Sequence, residues 1–494
     1  MENKRSKRML KDVFLFAIAS FGPKMLGFFL VPLYTSVLST EAYGMSDLLN
    51  TVYSLILPIF MLDISDAILI YTVENKNNKP KLAAPLAYGM NILCKSSLIL
   101  CVLGCGVVIC FSNKDNHIIV YVLYVILQYI INAIYYNLLA YLRGTDDVLS
   151  VVTASILYSL STLIANVVLI VGFQWGLNGL LLSSLVGGIV ADLFIAFKIK
   201  LASILKSTLK PTTEEKKAML SYSIPLIFTG LAWWANSSSD RLFISVFVGV
   251  GTNGIYAVAN KIPTILSACH NVIYQAMQLS VFNEINAEDK SMYFKRLYKT
   301  YSFLMTFVCS ILILLDKVIA KFLFRGDFYV AWKYSPALLI SIAIYSIAGY
   351  ITTILAAEKE TKVIAKSTVL GAVINTFFNF ILIPRFQLFG AVIATAIGYF
   401  FIWLVMILYS RKNVKTDLGL MQSLAGFFIL VLQWIFLLVL ENSYLLQGML
   451  SLIIVIIYLS TARDLFFILK RLVVEMKRTR LNKNKKGTIN GQKL

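Results

Sequence analysis

The sequence predicts an all-α polytopic membrane protein of about fourteen transmembrane helices, and three observations carry that expectation. Hydrophobic residues make up 59% of the 494 and charged residues only 14%, whereas soluble domains run near 25% charged. Apolar runs longer than about 18 residues recur along the chain, and a bilayer needs about 20 per helical span. The net charge of +20 is gathered in alternate connections and at both ends. That is the positive-inside pattern of a membrane protein rather than a nucleic-acid footprint, so no nucleic-acid partner is expected.

The basic N-terminus (Lys4, Arg5, Lys7, Arg8, Lys11) runs straight into a long apolar segment. This reads as a retained first helix, not a cleaved signal peptide. Spans fall at roughly 12 to 37, 43 to 71, 83 to 111, 118 to 142, 148 to 171, 178 to 199, 219 to 248, 254 to 283, 297 to 315, 334 to 356, 363 to 384, 389 to 410, 418 to 440 and 444 to 469. An even number puts both ends on one side. With the N-terminus inside, the inner segments collect Lys76, Lys79, Lys81, Arg143, Lys198 to Lys217, Lys290 to Lys299, Lys359, Lys362, Arg411 to Lys415 and the basic C-terminal tail. The outer loops hold only Lys114, Lys317, Lys321, Arg325, Lys333 and Arg385, so both termini are expected in the cytoplasm. The outer stretch from Asp316 to Lys333 reads as an amphipathic interfacial segment carrying Phe322, Phe324, Phe328 and Trp332.

Internal repetition divides the chain. Gly44 to Asn50 (GMSDLLN) is echoed by Gly254 to Asn260 (GIYAVAN), and Asn166 to Ile170 with Gln174, Gly179 and Gly187 by Asn379 to Ile383 with Gln387, Gly390 and Gly398. The paired segments lie six spans apart and keep the same membrane direction, which describes a parallel repeat about an axis along the membrane normal. The expected organisation is two pseudo-symmetric six-helix lobes plus two C-terminal helices. Their bounds are 1–200 for the first lobe, 201–217 for a cytoplasmic linker, 218–411 for the second lobe, 412–470 for the last two helices and 471–494 for a basic cytoplasmic tail.

The chemistry centres on Ser237 to Leu266, SSSDRLFISVFVGVGTNGIYAVANKIPTIL. Two apolar segments meet there at a turn, Gly249 to Asn253. Arg241 before it and Lys261 after it lie at matching depth, about 15 Å from its centre at 1.5 Å per residue. A fixed charge at that depth marks a functional-site candidate unless it is paired or snorkels. The plainer reading has Arg241 on Asp240 or on backbone carbonyls and Lys261 snorkelling; Asp240 and Asn260 are the residues expected to support the helix pair. Lys24, next to Pro23, and Lys95 also lie inside spans. With Arg241 and Lys261 they can line a positive cavity that attracts an anion, phosphate being the obvious one. Asp47 and Asp63 are candidates for ion coupling, since a carboxylate in a low dielectric can be neutralised by a proton or Na⁺, although pairing with a nearby lysine is the plainer alternative.

Other chemistries lack their parts. The six cysteines fall in spans as small apolar residues, and with only His117 and His270 in the chain no metal site is expected. There is no Walker A stretch. Arg143-Gly144-Thr145-Asp146-Asp147 is the one loop cluster of charge, and it reads as a polar turn. No enzyme activity and no cofactor beyond H⁺ or Na⁺ coupling is expected.

The sequence resembles a Wzx-type polysaccharide flippase of the multidrug/oligosaccharidyl-lipid/polysaccharide exporter superfamily. The likeness lies in FGPKMLGFFLVPLYTSVLSTEAYG (Phe21 to Gly44), SIPLIF (Ser223 to Phe228), SSSDRLFI (Ser237 to Ile244), NGIYAVANKIPTIL (Asn253 to Leu266) and NTFFNFILIPRFQLFGAVIAT (Asn375 to Thr395). The resemblance implies the two-lobe fold and a multi-pass protein of the bacterial cytoplasmic membrane. It also implies the turning of an undecaprenyl-pyrophosphate-linked oligosaccharide repeat unit from the inner to the outer leaflet by alternating access. The anionic head would then fall on Arg241, Lys261, Lys24 and Lys95, with membrane lipids, a polysaccharide polymerase and export proteins as partners. Where many relatives carry an Arg in the element Ala67 to Tyr71, Ile70 stands here, which puts in doubt a phosphate contact at that point. Rival expectations are a flippase for the peptidoglycan lipid precursor, a drug or cation antiporter, and, from another class, a membrane polysaccharide polymerase or ligase.

Overall fold

The computed structural model describes residues 27–78, 81–111, 117–206, 211–285, 288–413, 418–440, 444–459 and 461. Lys24, Pro23 and the tail 471–494 lie outside the described residues. Helices run in chain order as α1 Val31–Val37, α2 Thr40–Met61, α3 Ile64–Glu74, α4 Ala84–Phe111, α5 Ile118–Gly144, α6 Val148–Asn166 with a π-helical continuation Val167–Gly172, α7 Gly176–Ile199, α8 Leu201–Lys206 and α9 Thr213–Phe247. They continue as α10 Val250–Ala259, α11 Pro263–Asn283, α12 Lys290–Leu323, a 3₁₀ segment Gly326–Lys333, α13 Ser335–Ala357, α14 Thr361–Phe386, α15 Leu388–Asn413, α16 Leu420–Val439 and α17 Tyr444–Ile457. Among the described residues eleven helices are long and apolar enough to cross a membrane, with shorter apolar helices at Gly27–Val37 and Tyr444–Ile457. The protein is an all-α, multi-pass membrane protein.

The helix starts follow local chemistry. Ser39 accepts the Ala42 N–H at 3.1 Å to begin α2, and Asp147 accepts the Ser150 N–H at 3.1 Å to begin α6. Thr212 and Glu215 form a reciprocal capping box that begins α9. Each side chain satisfies an N–H that the first turn leaves open.

Two spans expected to be continuous are interrupted. The segment 43 to 71 breaks at Leu62 and Asp63, both in the left-handed region at φ 54° and 46°. The segment 254 to 283 breaks between α10 and α11, where Pro263 opens the second piece; proline lacks the N–H that would continue the first. The turn expected over Gly249 to Asn253 is shorter. Gly249 alone takes φ 132°, a conformation suited to glycine, and α10 begins at Val250.

The interfacial segment expected over Asp316 to Lys333 is also corrected. Helix α12 continues to Leu323, and Phe324 and Phe328 are 2% exposed. Phe328 packs edge-on against Tyr43 with ring centroids 5.8 Å apart, and Thr35 donates to the Leu323 carbonyl at 3.0 Å. Protein, not headgroups, takes the rings of Phe324 and Phe328. Phe322 and Tyr329 stay exposed and Trp332 is half-buried.

Packing groups the chain into two units. Of the described residues, the first joins those up to Lys261 with Val318–Ser335 and Thr368–Gly398; the second joins those of Ile262–Lys317, Pro336–Ser367 and from Tyr399 to Thr461. These bounds differ from lobes expected at 1–200 and 218–411, because α9, α10 and the 368–398 stretch pack with the first half. The interior of the first unit gathers Met61, Ile64 and Ile68 with Leu93, Tyr129, Ala133, Leu138, Ala154, Ala191 and Ile195. Small residues among the large let helices approach where lipid offers no hydrophobic drive. In the second unit the Trp403 indole N–H donates to Tyr298 at 3.0 Å. There Gln433 and Gln447 donate reciprocally to each other's backbone carbonyls at 3.2 and 2.9 Å, clasping α16 to α17.

Candidate functional site

The site is built where α2 crosses α10, within the first unit. Gly44 and Gly254 face one another so closely that a Cβ on Gly44 would stand 2.7 Å from the Gly254 nitrogen. Side chains beside this contact are thereby brought together. Asn253 donates to the Gly44 carbonyl at 3.1 Å and to Asp47 Oδ2 at 3.2 Å. From α9, Arg241 Nε lies 3.4 Å from the same Asp47 oxygen, and the Trp234 indole N–H donates to Thr51 O and Ser54 Oγ, each at 3.1 Å.

Asp240, beside Arg241 in the chain, points into protein and is 4% exposed. Its Oδ1 accepts the Arg241 backbone N–H at 2.9 Å. Its Oδ2 accepts from the Tyr256 hydroxyl and, at 3.5 Å, from Thr395. Behind it Asn375 donates to Thr395 at 3.5 Å, Asn379 donates to Asn375 at 3.0 Å, and Ser239 donates to Asn375 at 3.4 Å. A buried carboxylate needs such donors, since each unmet acceptor costs about 1–3 kcal/mol.

Arg241 therefore pairs across to Asp47 on α2 and meets Asp240 only through its own N–H. Its side chain retains 25% exposure and that of Asp47 18%, although the Arg241 Nε atom is itself buried. Lys261, at the break after α10, holds its ammonium 6.0 Å from the centre of the Tyr43 ring, a cation–π distance. Asn260 donates to the Tyr256 carbonyl at 2.9 Å, which steadies the end of α10 beside Asp240's partner.

Two candidates stand apart. Asp63 sits at the left-handed break, its Oδ2 3.6 Å from where a Cβ on Gly230 of α9 would stand, and it makes no ion pair among the described residues. Lys95 is exposed on α4 and makes no ion pair among the described residues. Lys24 lies outside them. Sequence reasoning missed Tyr256, Thr395, Asn375 and Asn379 as members of the network; the helical spacing of four between Asn375 and Asn379 was the available signal. A cavity of about 450 Å³ between α5 and α7, lined by Tyr124, Leu127, Trp175 and Asn178 among others, shares no residue with the Arg241 cluster and carries no charged side chain.

The fold is a bundle of long apolar helices with an ion pair between α2 and α9 and a carboxylate network beside it. Solved structures share it. The chain superposes on the lipid II flippase MurJ in an inward closed conformation with a TM-score of 0.67 and 18% identity, covering 92% of this chain and 100% of that one. It superposes equally on an inward-facing multidrug resistance MATE family transporter of the MOP superfamily, with a TM-score of 0.67 and 16% identity, covering 81% and 98%. Residues 9–282, more than half of the chain, match the family described as polysaccharide biosynthesis protein. The chain belongs to that family. It is 23% identical over 233 residues to the probable low-salt glycan biosynthesis flippase Agl15 of Haloferax volcanii, a match covering 46% of this chain and 49% of the relative. The match thus spans about half the length of that curated relative.

Proposed function

We propose that this protein is a flippase that carries a lipid-linked oligosaccharide, an undecaprenyl-pyrophosphate repeat unit, from the inner to the outer leaflet of a bacterial cytoplasmic membrane during polysaccharide biosynthesis. The supporting observation is Arg241: a permanent cation on a helix long and apolar enough to cross a membrane, a quarter exposed, in a chain of the polysaccharide biosynthesis family. A charge placed there costs several kcal/mol unless it has a partner, and the pyrophosphate is a fitting one. Lys261 supplies a second positive group on the adjoining helix end. The head and sugars cross through protein while the prenyl tail stays in lipid, which spares the cost of dragging polar groups through hydrocarbon.

Asp47 and Asp63 are proposed to couple the movement to a proton or sodium gradient, and both termini are proposed to lie in the cytoplasm. A polymerase acting on the delivered unit, with export proteins, completes the partners. The protein itself forms and breaks no covalent bond.

The test is glycan export in cells carrying Arg241→Gln, Lys261→Gln or both. Export falls to background in the double variant while the protein stays at its normal level in the membrane; full export by all three would overturn the reading. Rescue of cells depleted of their own peptidoglycan-precursor flippase would move the substrate to that precursor. Transport indifferent to both gradients removes the ion-coupling role.

A further inference from the structure

We propose that Asp47 is a built-in substitute for the substrate's phosphate, occupying Arg241 when the site is empty and giving it up to an incoming pyrophosphate. The inference rests on the reading of Arg241 as the headgroup seat. Four observations lead to it.

The Asp47–Arg241 contact is poorly made. Charge-assisted N–H···O bonds run at about 2.7–2.9 Å, yet Arg241 Nε lies 3.4 Å from Asp47 Oδ2 and is buried without a hydrogen bond. A guanidinium nitrogen is thus held by charge alone, and a phosphate oxygen can meet it better.

Asp47 can leave without being orphaned. Asn253 donates to its Oδ2 at 3.2 Å from α10, so the carboxylate keeps a donor after Arg241 is lost. Its partial exposure also gives it water or a proton on release.

Asp240, by contrast, is fixed. It is almost fully buried and accepts from the Arg241 N–H, Tyr256 and Thr395. Of the two acids beside Arg241, Asp47 alone is exchangeable.

The charge balance makes exchange necessary. A pyrophosphate arriving while both acids hold their places would meet two negative groups around one guanidinium. Like charges held this close repel strongly where little water screens them. Displacing Asp47 removes that repulsion, and a neutral or cationic headgroup has no means of doing so. Asp47 would accordingly select for the phosphate-bearing lipid, a specificity role it plays by occupying the seat.

The experiment is titration of the purified full-length protein in detergent with inorganic pyrophosphate, comparing wild type with D47N and R241Q. With the competitor removed, D47N should bind about tenfold more tightly, and R241Q should lose binding. Should D47N fail to elute as a single species, Asp47→Ser carries the same comparison. Unchanged or weaker binding by the Asp47 variants, with binding still lost in R241Q, overturns the exchange and leaves the headgroup seat intact. Wild-type binding by R241Q overturns the seat itself, and with it the exchange.

Discussion

Gly44 and Gly254 meet back to back: a Cβ on the first would run into the Val250 carbonyl oxygen, and one on the second into the Thr40 carbonyl oxygen. Backbone, not a flexible side chain, blocks both positions, so neither helix can yield by a rotamer change. Gly44→Ala or Gly254→Ala should force the helices apart, weaken the Asn253 bonds to Gly44 and Asp47, and cost about 1–3 kcal/mol. A lowered melting temperature of the purified protein, together with loss of glycan export, is the expected result.

Tyr256→Phe keeps the ring but removes a donor from the buried Asp240. The carboxylate then relies on the Arg241 N–H and the 3.5 Å Thr395 contact. Destabilisation of about 1–3 kcal/mol is expected. Combining Tyr256→Phe with Asp240→Leu should cost less than the sum of the two single changes, because the second removes the group left unsatisfied; a thermal-melt double-mutant cycle measures the difference.

Gln433→Leu removes one half of the reciprocal amide clasp between α16 and α17, its donation to the Gln447 carbonyl, and also its 3.2 Å bond to Ser451, while the backbone carbonyl at that position still accepts from Gln447. Interhelical hydrogen bonds in membranes average near 0.6 kcal/mol each, so a loss of about 1 kcal/mol is expected. Early proteolytic cleavage within the last two helices would report it.

Thr212→Ala removes one half of the capping box at the start of α9 and should cost about 1 kcal/mol with export unchanged. Lys81→Ala, which deletes the exposed 3.0 Å pair with Glu215, should shift the melting transition far less, since exposed ion pairs contribute about 0–1 kcal/mol.

Much of this fold is legible in the sequence because bilayer physics is blunt. Length and apolarity alone mark the spans, and the repeats survive into local geometry. Gln174 and Gln387, paired by sequence, both take left-handed conformations at φ 56° and 51°. Gly179 and Gly390, which follow them, each lie against the preceding helix, at Leu169 and Leu382 respectively. The break at Leu62 and Asp63 was not legible, whereas Pro263 marked the one between α10 and α11. Leu62 and Asp63 carry no proline or glycine, so their left-handed turn comes from tertiary packing. The partner of Arg241 was equally hidden. Proximity in the chain pointed to Asp240, whereas the ion pair is made by Asp47, 194 positions away, through a helix crossing that only glycines permit. Aromatic residues over 316 to 333 suggested a lipid interface because sequence cannot distinguish a ring facing lipid from one facing Tyr43.

The interruption between α10 and α11 has a consequence of its own. Ten residues of α10 rise about 15 Å, and at its end the Asn260 and Lys261 N–H groups still donate to the Tyr256 and Val258 carbonyls at 3.1 and 2.9 Å, but Pro263 has no N–H to offer the Ala259 carbonyl that a continuing helix would serve. Oil offers such groups nothing to bond with, and they persist only where protein or liquid water surrounds them. Lys261 follows that carbonyl by two positions, and the solvation that its ammonium requires serves the carbonyl as well.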